Sequence, residues 1–153
     1  MQHITKTQQQ TIQLGKKIAA KFKGGDVVLL YGDLGAGKTT LVKGVAQYFG
    51  VKKNITSPTF ALMNVYEVKS KKYKAFGLSS SRRVKRVIHI DTYRLEDESK
   101  LIEIGVEDYI GAPDTVCLIE WPEKLKTLLR GKKKIEIKIE HLKSGRRIMI
   151  SDR

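Results

Sequence analysis

Between Asp26 and Gly50 the chain passes from a short apolar run, DVVLLY, through the octapeptide Gly32-Asp33-Leu34-Gly35-Ala36-Gly37-Lys38-Thr39, into a segment with helical period. No other stretch restricts the fold as strongly. The run is rich in β-branched and aliphatic residues over a short length, as suits a strand buried on both faces. From Thr39 the apolar residues Leu41, Val42, Val45, Ala46 and Phe49 fall along one side, and Gly50 stands where a C′ glycine closes a helix. Strand, glycine-rich turn and helix in this order supply the context that the pattern G-x-x-x-x-G-K-[ST] requires. The loop glycines let the main chain approach a phosphate, so that successive N–H groups form an anion nest at a helix N-terminus. Residues Asp33, Leu34, Gly35, Ala36, Gly37, Lys38, Thr39 and Thr40 are therefore the expected nucleotide-binding loop. Lys38 is expected to reach the β and γ oxygens, and the Thr39 hydroxyl to take one Mg²⁺ position.

A phosphate loop by itself leaves kinase, switch, motor and accessory ATPase all open. Mg²⁺ keeps several waters and is held by one or two carboxylates besides the phosphates, and in open α/β sheets ligand groups stand at the carboxyl ends of strands. Two acids meet that condition. Asp91 ends the strand-like run RVIHID (86 to 91), and Glu120 ends TVCLIE (115 to 120). Both are expected in the metal shell, with a helix cap or a surface acid as the plain alternative for each.

The remaining chain reads as one α/β domain over residues 1 to 153, without repeats or a linker. Thr7-Gln8-Gln9-Gln10 has the form of a capping box, and Leu14, Ile18 and Phe22 recur every four residues, predicting a helix of about 15 residues stopped at Gly24-Gly25. FALMNVYEV (60 to 68) predicts a strand, Glu96 to Ile110 one or two short helices broken near Gly105, and Pro122 a helix start running to about Arg130. Ile135-Glu-Ile-Lys-Ile-Glu alternates strictly, Ser144-Gly145 marks a turn, and Arg147 to Ile150 returns: a C-terminal β-hairpin. The expected architecture is a mixed, mostly parallel sheet flanked by helices.

Composition narrows the setting. A single cysteine among 153 residues excludes an intramolecular disulfide, and Cys117 lies in an apolar run where a small buried hydrophobe is expected. No apolar run approaches the ~20 residues that span a bilayer, so a cytoplasmic protein without membrane association is expected. The formal charge is +14, from 30 Lys and Arg against 16 Asp and Glu, and it is unevenly spread. Residues 69 to 86 hold eight basic side chains and no acid, whereas residues 87 to 123 hold two basic and ten acidic ones. A cationic excess makes polyanions plausible partners. The stretch KSKKYKAFGLSSSRRVK reads either as a hairpin tip without fixed structure or as an arm binding nucleic acid or a partner.

Taken together, GDLGAGKTT (32 to 40), TSPTF (56 to 60), HIDTYRL (89 to 95) and IEWPE (119 to 123) closely resemble the TsaE family, the small ATPases of bacterial tRNA threonylcarbamoyladenosine formation. The resemblance implies a P-loop fold, ATP and Mg²⁺ as cofactors, and slow ATP hydrolysis in the service of a TsaB–TsaD protein complex acting on tRNA. Carried over residue by residue, it implies ATP binding by Gly35, Gly37, Lys38, Thr39 and Thr40, with Thr39 on Mg²⁺. Glu120 becomes the carboxylate nearest the metal, Asp91 the acid that orients a metal-bound or attacking water, and Thr59 a sensor of the γ-phosphate. Ser57-Pro58 would hold the sensor segment extended. Arg94 and Trp121 belong to the same motifs with their roles open: Arg94 either fixes the acidic shell or faces a partner, and Trp121 packs beside the nucleotide, against the partner complex or simply as a core or helix-start aromatic; His89 reads as a structural residue. None of these motifs carries an evident arginine finger. The connector at 69 to 86 exceeds what the family pattern needs, and it is expected to form a basic flap contacting tRNA or a partner. The readings outside the family are a small-molecule or polynucleotide kinase and a nucleotide-dependent binding module.

Overall fold

The computed structural model describes residues 1–68 and 83–152. The elements are β1 (Gln2–Thr5), α1 (Gln8–Ala19), β2 (Val27–Tyr31), α2 (Lys38–Tyr48), β3 (Met63–Glu67), β4 (Arg86–Asp91), α3 (Ser99–Glu103), β5 (Thr115–Glu120), β6 (Lys134–Leu142) and β7 (Gly145–Asp152). They form one seven-stranded sheet in the order β1-β7-β6-β2-β5-β4-β3. The central strands β6, β2, β5 and β4 are parallel, and the outer pairings β1/β7, β7/β6 and β4/β3 are antiparallel. Helices flank this mixed sheet, as the alternation of motifs implied.

β2, β4 and β5 each feed two cores. Val28 and Leu30 of β2, Val87 of β4, and Val116 and Leu118 of β5 face α1 and α2; Val27, Leu29, Ile88, Ile90, Cys117 and Ile119 face α3 and the 121–130 segment. Near-continuous apolar sequence is what two covered faces demand. Cys117 is fully buried, which pushes its thiol up to about 12 and leaves it a packing residue. On the first face α1 and α2 cross at their glycines: a Cβ on Gly44 would stand 2.1 Å from the Ile12 carbonyl oxygen, and one on Gly15 would stand 2.5 Å from that of Leu41.

Local chemistry explains most boundaries. Thr7 caps α1 by accepting the Gln10 N–H at 3.1 Å, while the Gln10 side chain accepts from Lys6 N–H at 2.6 Å. The cap stands where Thr7-Gln8-Gln9-Gln10 predicted, and only the returning bond of the box is displaced, from Thr7 to Lys6. The helix stops at Ala19, short of its expected length, because Lys21 and Phe22 already donate to the carbonyls of Ile18 and Ala19 in a tighter final turn. α2 ends with Gly50 at φ 75, Gly50 donating to Gln47 and Val51 to Ala46. This is the Schellman arrangement.

One strand was not foreseen, and two expected elements differ. β1 was not predicted: Gln2-His3-Ile4-Thr5 has one aliphatic side chain and owes its strand to pairing with the free edge of β7. The strand expected from Phe60 begins only at Met63, because Leu62 turns through φ 63. Finally, 122–130 forms no continuous helix beyond a 3₁₀ turn at Pro122–Lys124. Leu125, Leu128 and Leu129 all enter the second core, and the N–H groups of Thr127 and Leu128 are taken by the Glu98 carboxylate at 3.1 and 3.2 Å. The hairpin is longer than expected, and its Leu142–Gly145 pairing leaves Lys143 and Ser144 as a two-residue turn. Most of the basic connector, residues 69 to 82, lies outside the described residues, so the flap expectation does too. Lys85 and Arg86 at its end do not extend as a flap: Arg86 Nη2 meets Asp114 Oδ1 at 2.7 Å, and Lys85 Nζ lies 3.6 Å from Asp114 Oδ2.

Candidate functional site

The loop after β2 and the ends of β4 and β5 meet at one end of the sheet. Register aligns Leu30 with Glu120 and Glu120 with Asp91, so both acids stand level with the start of the loop. Alternation then decides their direction. His89 and Asp91 share a face with Val87, and Glu120 shares one with Leu118 and Val116, which is the face covered by α2. The carboxylates are therefore aimed at the N-terminus of α2.

The loop itself is fixed by close backbone approach. Gly32 has φ 143, and a Cβ there would stand 2.4 Å from the Ile139 carbonyl oxygen of β6. Gly37, at φ 107, is the N-cap of α2 and offers no side-chain hydrogen bond to the first turn. The N–H groups of Lys38, Thr39 and Thr40 open the helix, where no preceding turn can accept from them. Their dipoles and the helix end favour an anion.

Lys38 is buried, and its ammonium donates to the carbonyls of Gly32 at 2.5 Å and Asp33 at 2.9 Å while standing 3.8 Å from the Trp121 ring centroid. Burial pushes its pKa below the usual lysine value, and the nearby charges of Glu120 and Asp91 act in the opposite sense. Thr39 Oγ1 donates to Glu120 Oε1 at 2.8 Å. The same oxygen lies 2.8 Å from His89 Nε2, both side chains being buried. Asp91 is engaged at both oxygens: Oδ1 accepts the Tyr93 N–H at 2.9 Å, and Oδ2 accepts from Ser57 and, at 2.8 Å, from Thr59.

These groups share a cleft of about 240 Å³ lined by the loop, Ser57, Thr59, Asp91, Tyr93, Glu120 and Trp121. A larger hollow of about 620 Å³ lies near Met1, Tyr31 and Lys138, and none of the expected site residues lines it. Of the expected loop residues, Leu34, Gly35, Gly37, Lys38, Thr39 and Thr40 line the cleft. Ala36 instead packs into the core, and Asp33 contributes its carbonyl to Lys38 with its own side chain exposed. Arg94 lies outside the cleft, its guanidinium 4.6 Å from the exposed Phe60 ring.

Two contributors were misjudged from sequence. His89 was read as structural, and it holds the Glu120 carboxylate; the signal for this was its position two residues before Asp91, on the same face of β4. Ser57 was given only a backbone role, whereas its hydroxyl bonds Asp91. The fit to a hard divalent cation follows from the donor set: a threonine hydroxyl beside a carboxylate, with a second carboxylate across the cleft, is all-oxygen. Among the described residues no three His, Cys, Asp or Glu side chains form a metal cluster. Among the described residues no helix is long and apolar enough to cross a membrane.

A family model described as "Threonylcarbamoyl adenosine biosynthesis protein TsaE" matches residues 5–149. A relative from Rickettsia conorii, described as tRNA threonylcarbamoyladenosine biosynthesis protein TsaE, is 35% identical over 147 residues, which cover 95% of this chain and 74% of that protein. Proteins of the same description from Haemophilus influenzae and Bacillus subtilis are 37% and 38% identical over 74% of this chain, spanning 65% and 61% of their own lengths. Among solved structures, the crystal structure of Bacillus subtilis YdiB is similar with a TM-score of 0.73 and 27% identity, covering 99% of this chain and 84% of that one.

Proposed function

The chain belongs to the TsaE family, and on that premise we propose that it is a P-loop ATPase serving tRNA threonylcarbamoyladenosine biosynthesis. In this reading a single domain, 1 to 153, binds Mg-ATP and hydrolyses it slowly in the cytoplasm. It acts with a TsaB–TsaD-like complex that modifies the tRNA adenosine beside the anticodon. The observation that carries the reading is the 2.8 Å bond between Thr39 of the loop and Glu120 of β5. It joins the phosphate-binding element to an acid from a different strand, which a bare glycine turn would not need.

Bound Mg-ATP would supply the reactive γ-phosphoryl group and a Lewis acid that spreads its charge. Everything else falls to the chain. The N–H groups of Gly35 and of Gly37 to Thr40 and the Lys38 ammonium would hold the phosphates. Lys38 would do so in place of its two carbonyl partners. Thr39 and Glu120 would hold Mg²⁺, with His89 fixing the rotamer of Glu120. Asp91 would orient water, and Ser57 and Thr59, already bonded to its Oδ2, would report whether the γ position is filled. Holding these groups in place before the reaction is where such a site gains its rate.

Titration calorimetry with ATP, in the presence and absence of Mg²⁺, tests the reading. Lys38→Ala should weaken binding by roughly tenfold or more, the scale of a lost charge-assisted hydrogen bond. Thr39→Ala should remove most of the Mg²⁺-dependent part. Wild-type affinity in both variants would contradict the assignment of the loop.

A further inference from the structure

The two carboxylates flank the phosphate loop from the β5–β4 side, and the opposite flank is formed by the C-terminal hairpin. There Ile139 of β6 brings its carbonyl against Gly32, and Gly145 packs so tightly on β1 that a Cβ would stand 2.4 Å from the Thr5 carbonyl oxygen. The backbone before Arg146 is thereby fixed relative to the loop. Arg146 pairs with His141 of β6 and with Thr5 of β1. By alternation it shares the inward face with Ile148, a buried residue of the core beneath α1 and α2. It is the next inward position beyond the last apolar layer, at the level where the loop begins.

Its side chain ends at the loop. Arg146 Nε, Cδ and Cζ would lie 2.9, 3.2 and 3.6 Å from a Cβ placed on Gly37. Nε is buried and has no hydrogen-bond partner. The neighbouring Arg147, facing the other way, also has an unpartnered buried Nε, but its Nη1 lies 3.4 Å from Glu140 Oε2; Arg146 has no carboxylate partner among the described residues. A guanidinium is charged at every accessible pH, and its planar fork of donors suits phosphate oxygens. A partly buried guanidinium with an unmet donor, held against the N-cap glycine of an anion nest, lacks one thing, and that is an oxyanion.

We propose that Arg146 is a phosphate-binding residue delivered in cis by the C-terminal hairpin, contacting the polyphosphate chain of the nucleotide from the side opposite Asp91 and Glu120. The proposal rests on the nucleotide-binding reading above and adds a residue that lies outside all four sequence motifs. It also gives the hairpin a purpose beyond closing the sheet. With Arg146 on one flank and the carboxylates with their cation on the other, the phosphate chain is held across the N-terminus of α2 at both ends. Gly37 then has a second constraint besides its φ, since any side chain there would displace the guanidinium.

The test measures dissociation constants of the full chain for Mg-ATP and for inorganic tripolyphosphate, with wild type, Arg146→Ala, Arg146→Gln and Arg146→Lys, together with thermal melting of each. The expected result is that the Ala and Gln variants bind both ligands about tenfold or more weakly. Melting of the unliganded variants should stay at the wild-type value, and Arg146→Lys should recover part of the affinity. Unchanged affinity for tripolyphosphate in Arg146→Ala and Arg146→Gln overturns the proposal, and a loss confined to ATP does so too by moving the contact to the nucleoside. Weaker binding that tracks a lowered melting temperature in all three variants overturns it as well, since that makes Arg146 a folding residue. Failure of the wild type to bind either ligand overturns the nucleotide reading itself.

Discussion

Trp121 carries a backbone conformation that its residue type disfavours. Its φ of 59 lies in the left-handed region, yet its ring covers Lys38 and packs 5.0 Å from the Tyr93 ring. The conformation is held from both sides: Trp121 N–H donates to the Leu30 carbonyl at 3.3 Å, and Thr92 donates to the Trp121 carbonyl. A non-glycine residue pays roughly 1–2 kcal/mol in this region. The cost is met where the ring covers the buried Lys38 ammonium. This separates ring from backbone experimentally. Trp121→Ala and Trp121→Gly both remove the ring, and only glycine also relieves the strain, so the Gly variant should be more stable than the Ala variant by about 1 kcal/mol in urea unfolding. Equal stability would show that the backbone there is unstrained.

At the scale of elements, the crossing of α1 and α2 fixes where the loop's helix begins. Gly15 and Gly44 let the two backbones touch, so Gly44→Ala, which improves helix propensity, should nevertheless destabilise the fold. The added methyl meets the Ile12 carbonyl rather than a movable side chain, and overpacking of this kind costs roughly 1–3 kcal/mol. Chemical denaturation reads this directly, and a stabilised variant would contradict the packing. The same scale explains what was legible in the sequence. β4 and β5 stand where RVIHID and TVCLIE predicted, because strands covered on both faces are nearly continuous in apolar residues. The phosphate loop was legible because its chemistry is local. β1 was not, since its sequence carries no pattern of its own and its pairing comes from a strand more than 140 residues away. The 122–130 segment has helical spacing of leucines, but three leucines drawn into one core and a distant carboxylate on its N–H groups outweigh a weak local preference. His89 and Arg146 needed the sheet register before their direction could be known.

For the whole molecule, the charge of +14 suggested a polyanion partner, and the structure shows that part of the basic excess is committed internally. Lys38, Lys124, Lys132 and Lys134 each donate to backbone carbonyls, and Lys85 and Arg86 converge on Asp114. The hydrogen bond from Arg86, assisted by the charges of Arg86 and Lys85 and opposed by desolvation, holds the Asp114 carboxyl below its ordinary value. A group depressed on folding stabilises above its unfolded pKa, and that contribution is lost as pH falls through the folded one. The pair is partly exposed, so Asp114→Asn should cost only about 1 kcal/mol or less near pH 7 and close to nothing at about pH 2. Comparing urea midpoints of wild type and variant across that range checks it, and a pH-independent difference would remove the ion pair as the cause. The acidic stretch 87 to 123, by contrast, contributes the two carboxylates of the cleft.

In the proposed function the loop, Thr39 and Glu120 form one hydrolytic centre. Release of inorganic phosphate from Mg-ATP tests it most directly, measured for wild type and Glu120→Ala, alone and with a TsaB–TsaD-like complex. Slow release by the wild type, stimulation by the partners, and a loss of about 100-fold or more in the variant are expected, the scale at which removing one charge-stabilising group acts. Undiminished, still stimulated turnover by Glu120→Ala would contradict it.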